Sequence, residues 1–343
     1  MTKINRPIFH ENKIVFSDGL VGGGKALLAQ VVSSLPKVEM WLHNPKIENI
    51  CGAYYLDTIE LNTAKHLIRN WIDEDIDNIS MLRNSNFRFS DHSSIFKYPR
   101  RFEYLKRLFL KSENELLKKF IREKRIMHFM THSISGHSDP IFHALNSQLL
   151  FLRITRCPMT FYMLGHVAKW SERWGNDMRS GTLLIKKQNT NIPYFMLEKS
   201  EKYINSSPYE RAIYIIEEWQ TSGNKKIDQL KLHSKANILE IPFEKFVFNP
   251  KPYICKICEI LDVKMDNLTF KEMKKQKVPR KSLSDAPYNK VYKKIGWVKP
   301  KDHLSVKAEI DFSRNKISKL VSYEALNILD KITYDYIDRY KIL

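Results

Sequence analysis

The sequence predicts an α/β protein with a parallel β-sheet covered by helices on both faces. Short apolar segments alternate along the chain with amphipathic segments long enough to be helices. The composition is that of an ordinary globular protein, with 343 residues, 43% hydrophobic and 28% charged, and it is sufficient for a large core. In such sheets ligands bind beyond the carboxyl ends of the strands, so the residues that follow each strand are the candidates for function.

Four segments are predicted strands, and they share a short apolar run bounded by polar or turn residues: 14–16, 126–131, 148–154 and 236–243. The helices predicted between and after them occupy 26–35, most of 61–124, 159–174, a segment that begins at Ser207, 250–261 and 317–340. We expect 175–200 to be irregular. We expect 264–314, rich in Lys, Pro and Ser, to form a long loop over the ligand site.

A glycine-rich turn joins the first predicted strand to the first predicted helix. Gly19, Gly24 and Lys25 fit the G-x-x-x-x-G-K spacing, in which backbone N–H groups and a helix N-terminus surround phosphate oxygens and a lysine neutralises their charge. Gly22 and Gly23 complete the turn, so four of the chain's 11 glycines lie here. An ordinary tight turn between strand and helix needs only one or two. The stretch is therefore predicted to be a phosphate-binding loop.

Position 26 departs from that motif because it is Ala26. Nucleotide triphosphatases need Ser or Thr there, since its hydroxyl holds the magnesium ion that bridges the phosphates. A loop without that hydroxyl suits a donor whose reactive group leaves without magnesium. Sulfuryl transfer from 3'-phosphoadenosine 5'-phosphosulfate is such a reaction.

The formal net charge of +19 predicts a surface that attracts anions. Nucleotide cofactors, sulfated or carboxylated glycans, nucleic acid and an anionic membrane all fit that charge. We find no helix-turn-helix pattern, zinc spacing or aromatic platform for single strands, so charge alone supports nucleic acid. No apolar run approaches the roughly 20 residues of a membrane span, and the N-terminus has no apolar signal core. We expect a cytoplasmic protein.

The four cysteines, at positions 51, 157, 255 and 258, show no disulfide framework. Cys255 and Cys258 form a C-x-x-C, but no second Cys or His pair lies nearby. We therefore expect no metal.

The helical region 61–124 has one predicted apolar stripe. Its members recur among basic residues at helical spacing: Phe102, Leu105, Leu108, Phe109, Leu116, Leu117, Phe120 and Ile121. Ser207, Pro208 and Glu210 give a clear helix start, with an N-cap serine, a proline at the first position and a capping-box glutamate.

Taken together, these motifs resemble the sulfotransferase family, which uses 3'-phosphoadenosine 5'-phosphosulfate on an α/β fold related to nucleotide kinases. The resemblance covers a core of about 13–300, with 61–124 as a helical insertion and a C-terminal helix in 315–343. It implies one domain over 1–343. It also implies that Gly22, Gly23, Gly24 and Ala26 bind the 5'-phosphosulfate and that Lys25 contacts the transferred group, although the family's loop more often reads Ser-Gly-Thr-Thr.

The second predicted strand ends in Thr131 and His132, which match the last two residues of the family's Lys-Thr-His. The resemblance implies that His132 removes the proton of the acceptor. An imidazole suits that role because its ordinary pKa, about 6.5, leaves it neutral yet basic near pH 7. His128 lies within the strand and is more typical of buried structure. Glu39 and His43, near the first helix, are alternative bases.

The third predicted strand is followed by Arg156-Cys157-Pro158, which matches the family's Arg-x-Pro. The resemblance implies that Arg156 binds the 3'-phosphate, for which a guanidinium is well suited. A family serine that also contacts this phosphate corresponds to Leu164, which cannot do so. Arg280 and Lys281 in VPRKSLSD, and Trp297 in IGWVK, are similar to segments that close over the nucleotide.

The sequence therefore predicts a sulfotransferase that acts on a hydroxyl or amine of a carbohydrate or small metabolite, with an anionic acceptor among the expectations. Trp170 and Trp174 either stack on adenine or belong to the core. Their helical spacing is more typical of core residues. A nucleotide-dependent kinase that uses the same loop is the second hypothesis, and Ala26 counts against it. A basic nucleic-acid-binding protein is the third. The oligomeric state is left open.

Overall fold

The computed structural model describes residues 4–91, 93–109, 113–285 and 305–343. Its strands, in chain order, are β1 (Ile14–Gly19), β2 (Met127–His132), β3 (Leu149–Thr155), β4 (Leu184–Lys187), β5 (Thr190–Pro193) and β6 (Asn237–Pro242). Four of them form a parallel sheet in the order β2-β1-β3-β6. Strands β4 and β5 pair separately as an antiparallel hairpin within the region predicted to be irregular.

Both faces of the sheet are buried, as predicted. Along β1, Ile14 and Phe16 face one hydrophobic cluster, whereas Val15 faces another together with Leu28. Alternate residues of a strand point to opposite faces, so this division places helices on each side of the sheet. The predicted α/β fold class is confirmed.

The helices lie between these strands and after them. They are α1 (Lys25–Ser33), α2 (Pro45–Tyr55), α3 (Leu61–Ser80), α4 (Arg101–Arg107), α5 (Glu113–Arg122), α6 (Asp139–Leu145), α7 (Phe161–Ser171), α8 (Ser200–Ile204), α9 (Pro208–His233), α10 (Phe243–Phe248), α11 (Lys251–Leu261), α12 (Asn267–Lys275), α13 (Val306–Ile317) and α14 (Tyr323–Tyr340). None of the described helices has the length and apolar character needed to cross a membrane.

Helix α9 begins as the sequence predicts. The Ser207 side chain accepts a hydrogen bond from the Glu210 backbone N–H at 3.4 Å, and the Glu210 carboxylate accepts one from the Ser207 N–H at 3.0 Å. This reciprocal capping box satisfies two N–H groups that an open helix end would leave without partners.

The predicted apolar stripe of 61–124 is wrong in part. Leu116 and Phe120 are buried, but Phe102, Leu108 and Phe109 are exposed by 64%, 53% and 82%. The prediction required one continuous helix, whereas α4 ends at Arg107 and α5 begins at Glu113. The apolar residues of the two helices therefore need not lie on one common face. The aromatic side chains of Phe102 and Phe109 therefore lie on the protein surface.

Two further expectations need correction. The long loop predicted over 264–314 contains α12 and α13, and Asp266 caps α12 by accepting hydrogen bonds from the N–H groups of Leu268 and Thr269. The single helix predicted over 317–340 begins only at Tyr323, after α13 has ended. Residues 286–304, and Trp297 with them, lie outside the described residues.

Candidate functional site

The glycine-rich loop lies between β1 and α1, at the carboxyl edge of the sheet. Gly22 and Gly24 have φ of 79° and 98°, a backbone conformation that favours glycine. A Cβ at Gly24 would also collide with the ring of Phe243. The N-cap of α1 is Gly24, which has no side chain to cap the helix, so the dipole and N–H groups of this N-terminus favour an anion.

Lys25 begins α1 and lies beside the loop. The residue is 6% exposed, and its ammonium group donates a hydrogen bond to the Gly19 carbonyl at 3.0 Å. Burial lowers the pKa of Lys25 to about 8, against the opposing effect of Glu48 and Asp18. At neutral pH the lysine still carries most of its charge, in a site with little water to screen it.

Asp18, the residue before Gly19 in β1, holds the loop that follows β2. Its carboxylate accepts hydrogen bonds from the N–H groups of Ile134 and Ser135 at 3.1 and 3.0 Å, and from the hydroxyls of Thr131 and Ser135. The carboxylate is fully buried. Its oxygens are therefore used by the protein itself, which is a structural role.

Two arginines lie on the same aromatic ring, that of Phe243 beneath Gly24. The guanidinium carbon of Arg156 is 4.4 Å from the ring centroid and that of Arg280 is 5.5 Å from it. Arg156 also donates to the Gly22 carbonyl at 3.1 Å, and its buried Nε has no hydrogen-bond partner among the described residues. The fold thus brings both predicted nucleotide-binding arginines to the loop, although they are 124 positions apart by their numbers.

Lys281 behaves differently from its neighbour Arg280. Its side chain is exposed, and its backbone N–H donates to Asp285 at 3.2 Å. The structure gives Lys281 no contact with the glycine-rich loop in the part of the chain that it describes.

His166 on α7 is a candidate that the sequence did not reveal. Its Cβ packs against Gly22, and its buried Nε2 has no hydrogen-bond partner in the described part of the chain. Burial, with Arg156 and Lys169, lowers the pKa of His166 to about 4. Leu164, two positions earlier, lies in the hydrophobic core, as expected of an apolar side chain. With 11 histidines in the chain, no signal in the sequence marked His166.

His132 ends β2 directly beside the loop, since its Cα pairs in register with that of Gly19. Its Nδ1 lies 3.2 Å from Glu48 Oε1, and its backbone N–H donates to the same oxygen at 2.9 Å. Burial and then Lys25 lower the pKa of His132 to about 4. A neutral ring that donates from Nδ1 to a carboxylate keeps an unprotonated Nε2, which is the form that a base needs.

Glu48, in the first turn of α2, was not predicted from the sequence. The same Oε1 that meets His132 lies 3.2 Å from His43 Nε2. Burial would raise the pKa of Glu48, but His132 and His43 lower it to about 2, so the group is a carboxylate at neutral pH. The side chain of Asn44 caps α2 by accepting from the Lys46 N–H, which fixes the helix that carries Glu48.

Glu48, His43 and His132 also satisfy the minimum requirement for a metal site, because one donor atom of each lies within 4.8 Å of the others. The N···O separations of 3.2 Å fit two hydrogen bonds to one carboxylate oxygen equally well. The expected absence of a metal therefore stays a prediction.

The two other candidate residues near the first helix and in β2 have structural surroundings. Glu39 is fully buried and is bound by Arg107 at 2.8 Å, by Arg125 and by the Tyr104 hydroxyl, so its carboxylate oxygens are used by the protein itself. His128 is fully buried between the hydroxyls of Ser17 and Ser33, each at 2.8 Å, in agreement with the structural role expected of it.

A cavity of about 450 Å³ opens beside His132. Leu20 and Val21 of the glycine-rich loop form one wall together with His132. Its other walls are mainly apolar and include Met40, Trp41, Leu42, Met130, Val167, Trp170, Trp174 and Phe195. Trp174 lies in the hydrophobic core and Trp170 packs against it, as their helical spacing indicated, and both side chains also line this cavity.

Two polar groups in the cavity wall have no hydrogen-bond partner within the described ranges. They are the indole N–H of Trp41, a side chain only 7% exposed, and the hydroxyl of Ser85. A buried donor without a partner costs free energy unless a ligand or water satisfies it. The cavity is therefore suited to a mainly apolar molecule that carries a hydrogen-bond acceptor.

Comparisons with known proteins give likenesses in structure. No protein-family model and no curated protein sequence matches the chain. Solved structures similar to it include the sulfotransferase domain of the Synechococcus olefin synthase (15% identity, 92% of this chain and 98% of that chain, TM-score 0.39). The sulfotransferase domain of the curacin biosynthetic pathway matches with 11% identity, 90% and 98% coverage and a TM-score of 0.39.

A third similar structure is a sulfotransferase from Mycobacterium avium, with 12% identity, 98% of this chain, 78% of that chain and a TM-score of 0.41. Likenesses of this strength carry no argument about activity, and the site is interpreted from its own geometry.

Proposed function

We propose that this protein is a sulfotransferase that moves a sulfuryl group from 3'-phosphoadenosine 5'-phosphosulfate to a hydroxyl or amine. One observation carries the proposal. The glycine-rich loop, through Leu20 and Val21, and His132 line the same cavity. A donor held by the loop and an acceptor in the cavity would therefore meet next to a neutral imidazole.

The donor side is assigned to the loop and to the cations around it. The N–H groups of Gly22, Gly24 and Ala26 and the N-terminus of α1 would hold the 5'-phosphosulfate, whereas the N–H of Gly23 already donates to the Leu20 carbonyl at 3.1 Å. The unpartnered Nε of Arg156 supports the assignment of the 3'-phosphate to this arginine, and the buried Nε2 of His166 adds a second group beside it. Arg280, whose guanidinium group also lies over the Phe243 ring, would complete the cationic surroundings.

The acceptor side is assigned to His132 and Glu48. His132 takes the proton of the acceptor O–H or N–H on Nε2 while the acceptor atom forms a bond to sulfur. The bond between sulfur and the bridging oxygen of the 5'-phosphate breaks, and Lys25 stabilises the negative charge that collects on this oxygen. Glu48 is a positioning residue, because it fixes the ring orientation and tautomer of His132 and stabilises the imidazolium that forms.

The kinase hypothesis fits this site less well. Phosphoryl transfer depends on magnesium held by a loop hydroxyl and a carboxylate. Ala26 has no hydroxyl, and the carboxylate of Asp18 is occupied by N–H and hydroxyl groups of the protein. A purely nucleic-acid-binding role would leave the buried lysine and the histidine-carboxylate pair without a purpose.

The cavity favours an acceptor with a large apolar part over the carbohydrate expected from the sequence. Four aromatic rings, those of Trp41, Trp170, Trp174 and Phe195, line it. Of its charged groups, Glu48 is engaged with two histidines, and Arg179 is bound to Asp177 at 2.6 Å. The polar side chains that also line the cavity, among them Asn84, Ser133 and Thr182, would then meet the polar end of such an acceptor.

The direct test is a transfer assay with donor labelled with ³⁵S, using a panel of hydrophobic alcohols, phenols and amines beside simple sugars. The expected result is label in at least one apolar acceptor, release of 3'-phosphoadenosine 5'-phosphate, and loss of both in His132→Ala. Magnesium-dependent consumption of ATP in place of donor turnover would contradict the proposal.

A further inference from the structure

One side of the acceptor cavity borders an exposed surface that combines aromatic rings with cationic groups. Asn84, Ser85, Asn86 and Ser93 line the cavity on this side, and they belong to the segment between α3 and α4. We define the rim surface by the following residues: Phe87, Arg88, Phe89, Phe96, Lys97, Arg101, Phe102, Lys271 and Lys275.

The aromatic part of the rim surface is held together by direct contacts. The ring of Phe96 stacks on Phe89 with centroids 4.3 Å apart and meets Phe87 edge-on at 6.0 Å. Phe89 and Phe102 are 73% and 64% exposed, so both rings lie mainly in solvent. Large rings that are exposed as a group, rather than singly, mark a surface that another apolar phase covers.

The cationic part of the rim surface lies next to the aromatic part. Phe96, Lys97, Arg101 and Phe102 line one shallow surface depression of about 670 Å³, and Lys271 and Lys275 of α12 line it as well. Lys97, Arg101 and Lys271 form no ion pair with a carboxylate in the described part of the chain, whereas Lys275 pairs with Glu272 at 3.1 Å. The aromatic rings are thus bordered by three cations that have no carboxylate partner among the described residues.

We infer that the rim surface docks on an anionic lipid bilayer and turns this side of the acceptor cavity toward it. Exposed Phe rings enter the interface between headgroups and acyl chains, while Lys and Arg attract the negative surface. The net charge of +19 favours an anionic surface and opposes docking of a second copy of the chain. The protein would then act at the membrane surface without spanning it.

The rim surface and the acceptor cavity share one segment of the chain, which indicates where the acceptor comes from. This part of the inference rests on the proposed function. The segment that carries Phe87 and Phe89 also supplies Asn84, Ser85 and Asn86 to the cavity wall. An amphiphile that leaves the bilayer beside the rim surface would enter an apolar cavity and place its hydroxyl or amine near His132. Such an acceptor has an apolar body and a polar end, as the unpartnered Trp41 and Ser85 groups also require.

Co-sedimentation with vesicles tests the docking surface without donor or acceptor. The wild-type chain should bind vesicles of phosphatidylcholine mixed with phosphatidylglycerol, bind vesicles of phosphatidylcholine alone much more weakly, and dissociate as salt is raised. Two paired variants are compared with it: Phe89→Ser with Phe102→Ser, and Arg101→Ser with Lys271→Ser. We expect each pair to weaken binding to the anionic vesicles, by roughly tenfold or more for the rings and roughly 30-fold for the cations.

The matched control is Tyr334→Ser with Lys331→Ser on α14, a helix that lines neither cavity. Tyr334 is 71% exposed, so the control removes a comparable ring and charge, and it should bind as the wild type does. Circular dichroism and binding of 3'-phosphoadenosine 5'-phosphate should be unchanged in all the variants, because the substituted side chains are exposed.

Three results would overturn the inference: no binding of wild type to anionic vesicles, equal losses in the rim and control pairs, or rim variants that lose binding to a single-stranded oligonucleotide but keep vesicle binding. Because no transfer reaction is involved, failure to bind vesicles and failure to transfer a sulfuryl group are separate results.

Discussion

The donor side and the acceptor side of this site are built in different ways. The donor side rests on one continuous stretch, Gly19 to Lys25, to which the fold adds Arg156 and Arg280. The acceptor side is assembled from distant parts of the chain, with Glu48 and His132 in contact although they are 84 positions apart. Binding of the nucleotide should therefore depend on local backbone geometry, whereas acceptor chemistry should depend on packing between α2 and the sheet.

The comparison predicts its largest effect at His132. The variant His132→Ala should lose about 10²- to 10⁴-fold in turnover, because no positioned base remains. Binding of 3'-phosphoadenosine 5'-phosphate, measured by calorimetry, should stay nearly unchanged, since a base acts on the acceptor. His143→Ala, an exposed histidine on α6, is the matched control and should keep full turnover. Wild-type turnover in His132→Ala would assign this histidine a structural role.

The opposite pattern is predicted for Arg156. Arg156→Ala should weaken binding of 3'-phosphoadenosine 5'-phosphate by one or two orders of magnitude, since a charge-assisted hydrogen bond contributes roughly 1.5 to 3 kcal/mol. Adenosine 5'-phosphosulfate lacks the 3'-phosphate and should be weakened much less. Calorimetric titration of both ligands measures the difference. An equal loss for both would mean that Arg156 holds another part of the nucleotide.

Much of the donor side could be predicted from the sequence because its information is local. The glycines and Lys25 are neighbours in the sequence. Arg156 follows β3, a strand that is predicted from its run of apolar residues. Glu48 and Trp41 could not be predicted in the same way, since their roles arise only when segment 38–42 bridges to β2 and α2 packs beside it. The buried ion pairs of Glu39 could not be predicted either, because Arg107 and Arg125 are far away in the sequence.

The pH dependence should reflect one group from each side. His132 must be neutral to act as a base. Its pKa of about 4 is well below the pKa of an ordinary histidine, so kcat/KM should fall only as the pH drops toward 4. Lys25 must be charged, and its pKa of about 8 implies a second fall as pH rises through that value. The acid limb is interpretable only where circular dichroism shows a folded protein, because burial of a neutral histidine also makes folding less favourable at low pH. An acid limb near 6.5 would show that His132 is not held as described.

Bound donor should move the alkaline limb of this profile more than the acid limb. The phosphosulfate beside Lys25 favours its charged form, so the alkaline limb of kcat should lie at higher pH than that of kcat/KM. The acid limb should be less affected, because Glu48 and burial act on His132 in both states.

The smallest effect is predicted for metal removal. Activity should persist in EDTA, and Ala26→Ser should create no magnesium requirement, because a sulfuryl group carries less charge than a phosphoryl group and Lys25 with the loop amides can stabilise it. The assay is the same transfer reaction with and without chelator. Loss of activity in EDTA that zinc restores would instead identify His43, Glu48 and His132 as metal ligands.

The central claim, that the loop and Arg156 are built for 3'-phosphoadenosine 5'-phosphosulfate, is tested most directly by one calorimetric comparison. The purified protein is titrated with 3'-phosphoadenosine 5'-phosphate and, separately, with ATP in the presence of magnesium. The account predicts that the 3',5'-bisphosphate binds much more tightly, because Arg156 meets its 3'-phosphate and Ala26 offers magnesium no ligand. Tighter binding of ATP with magnesium would contradict it.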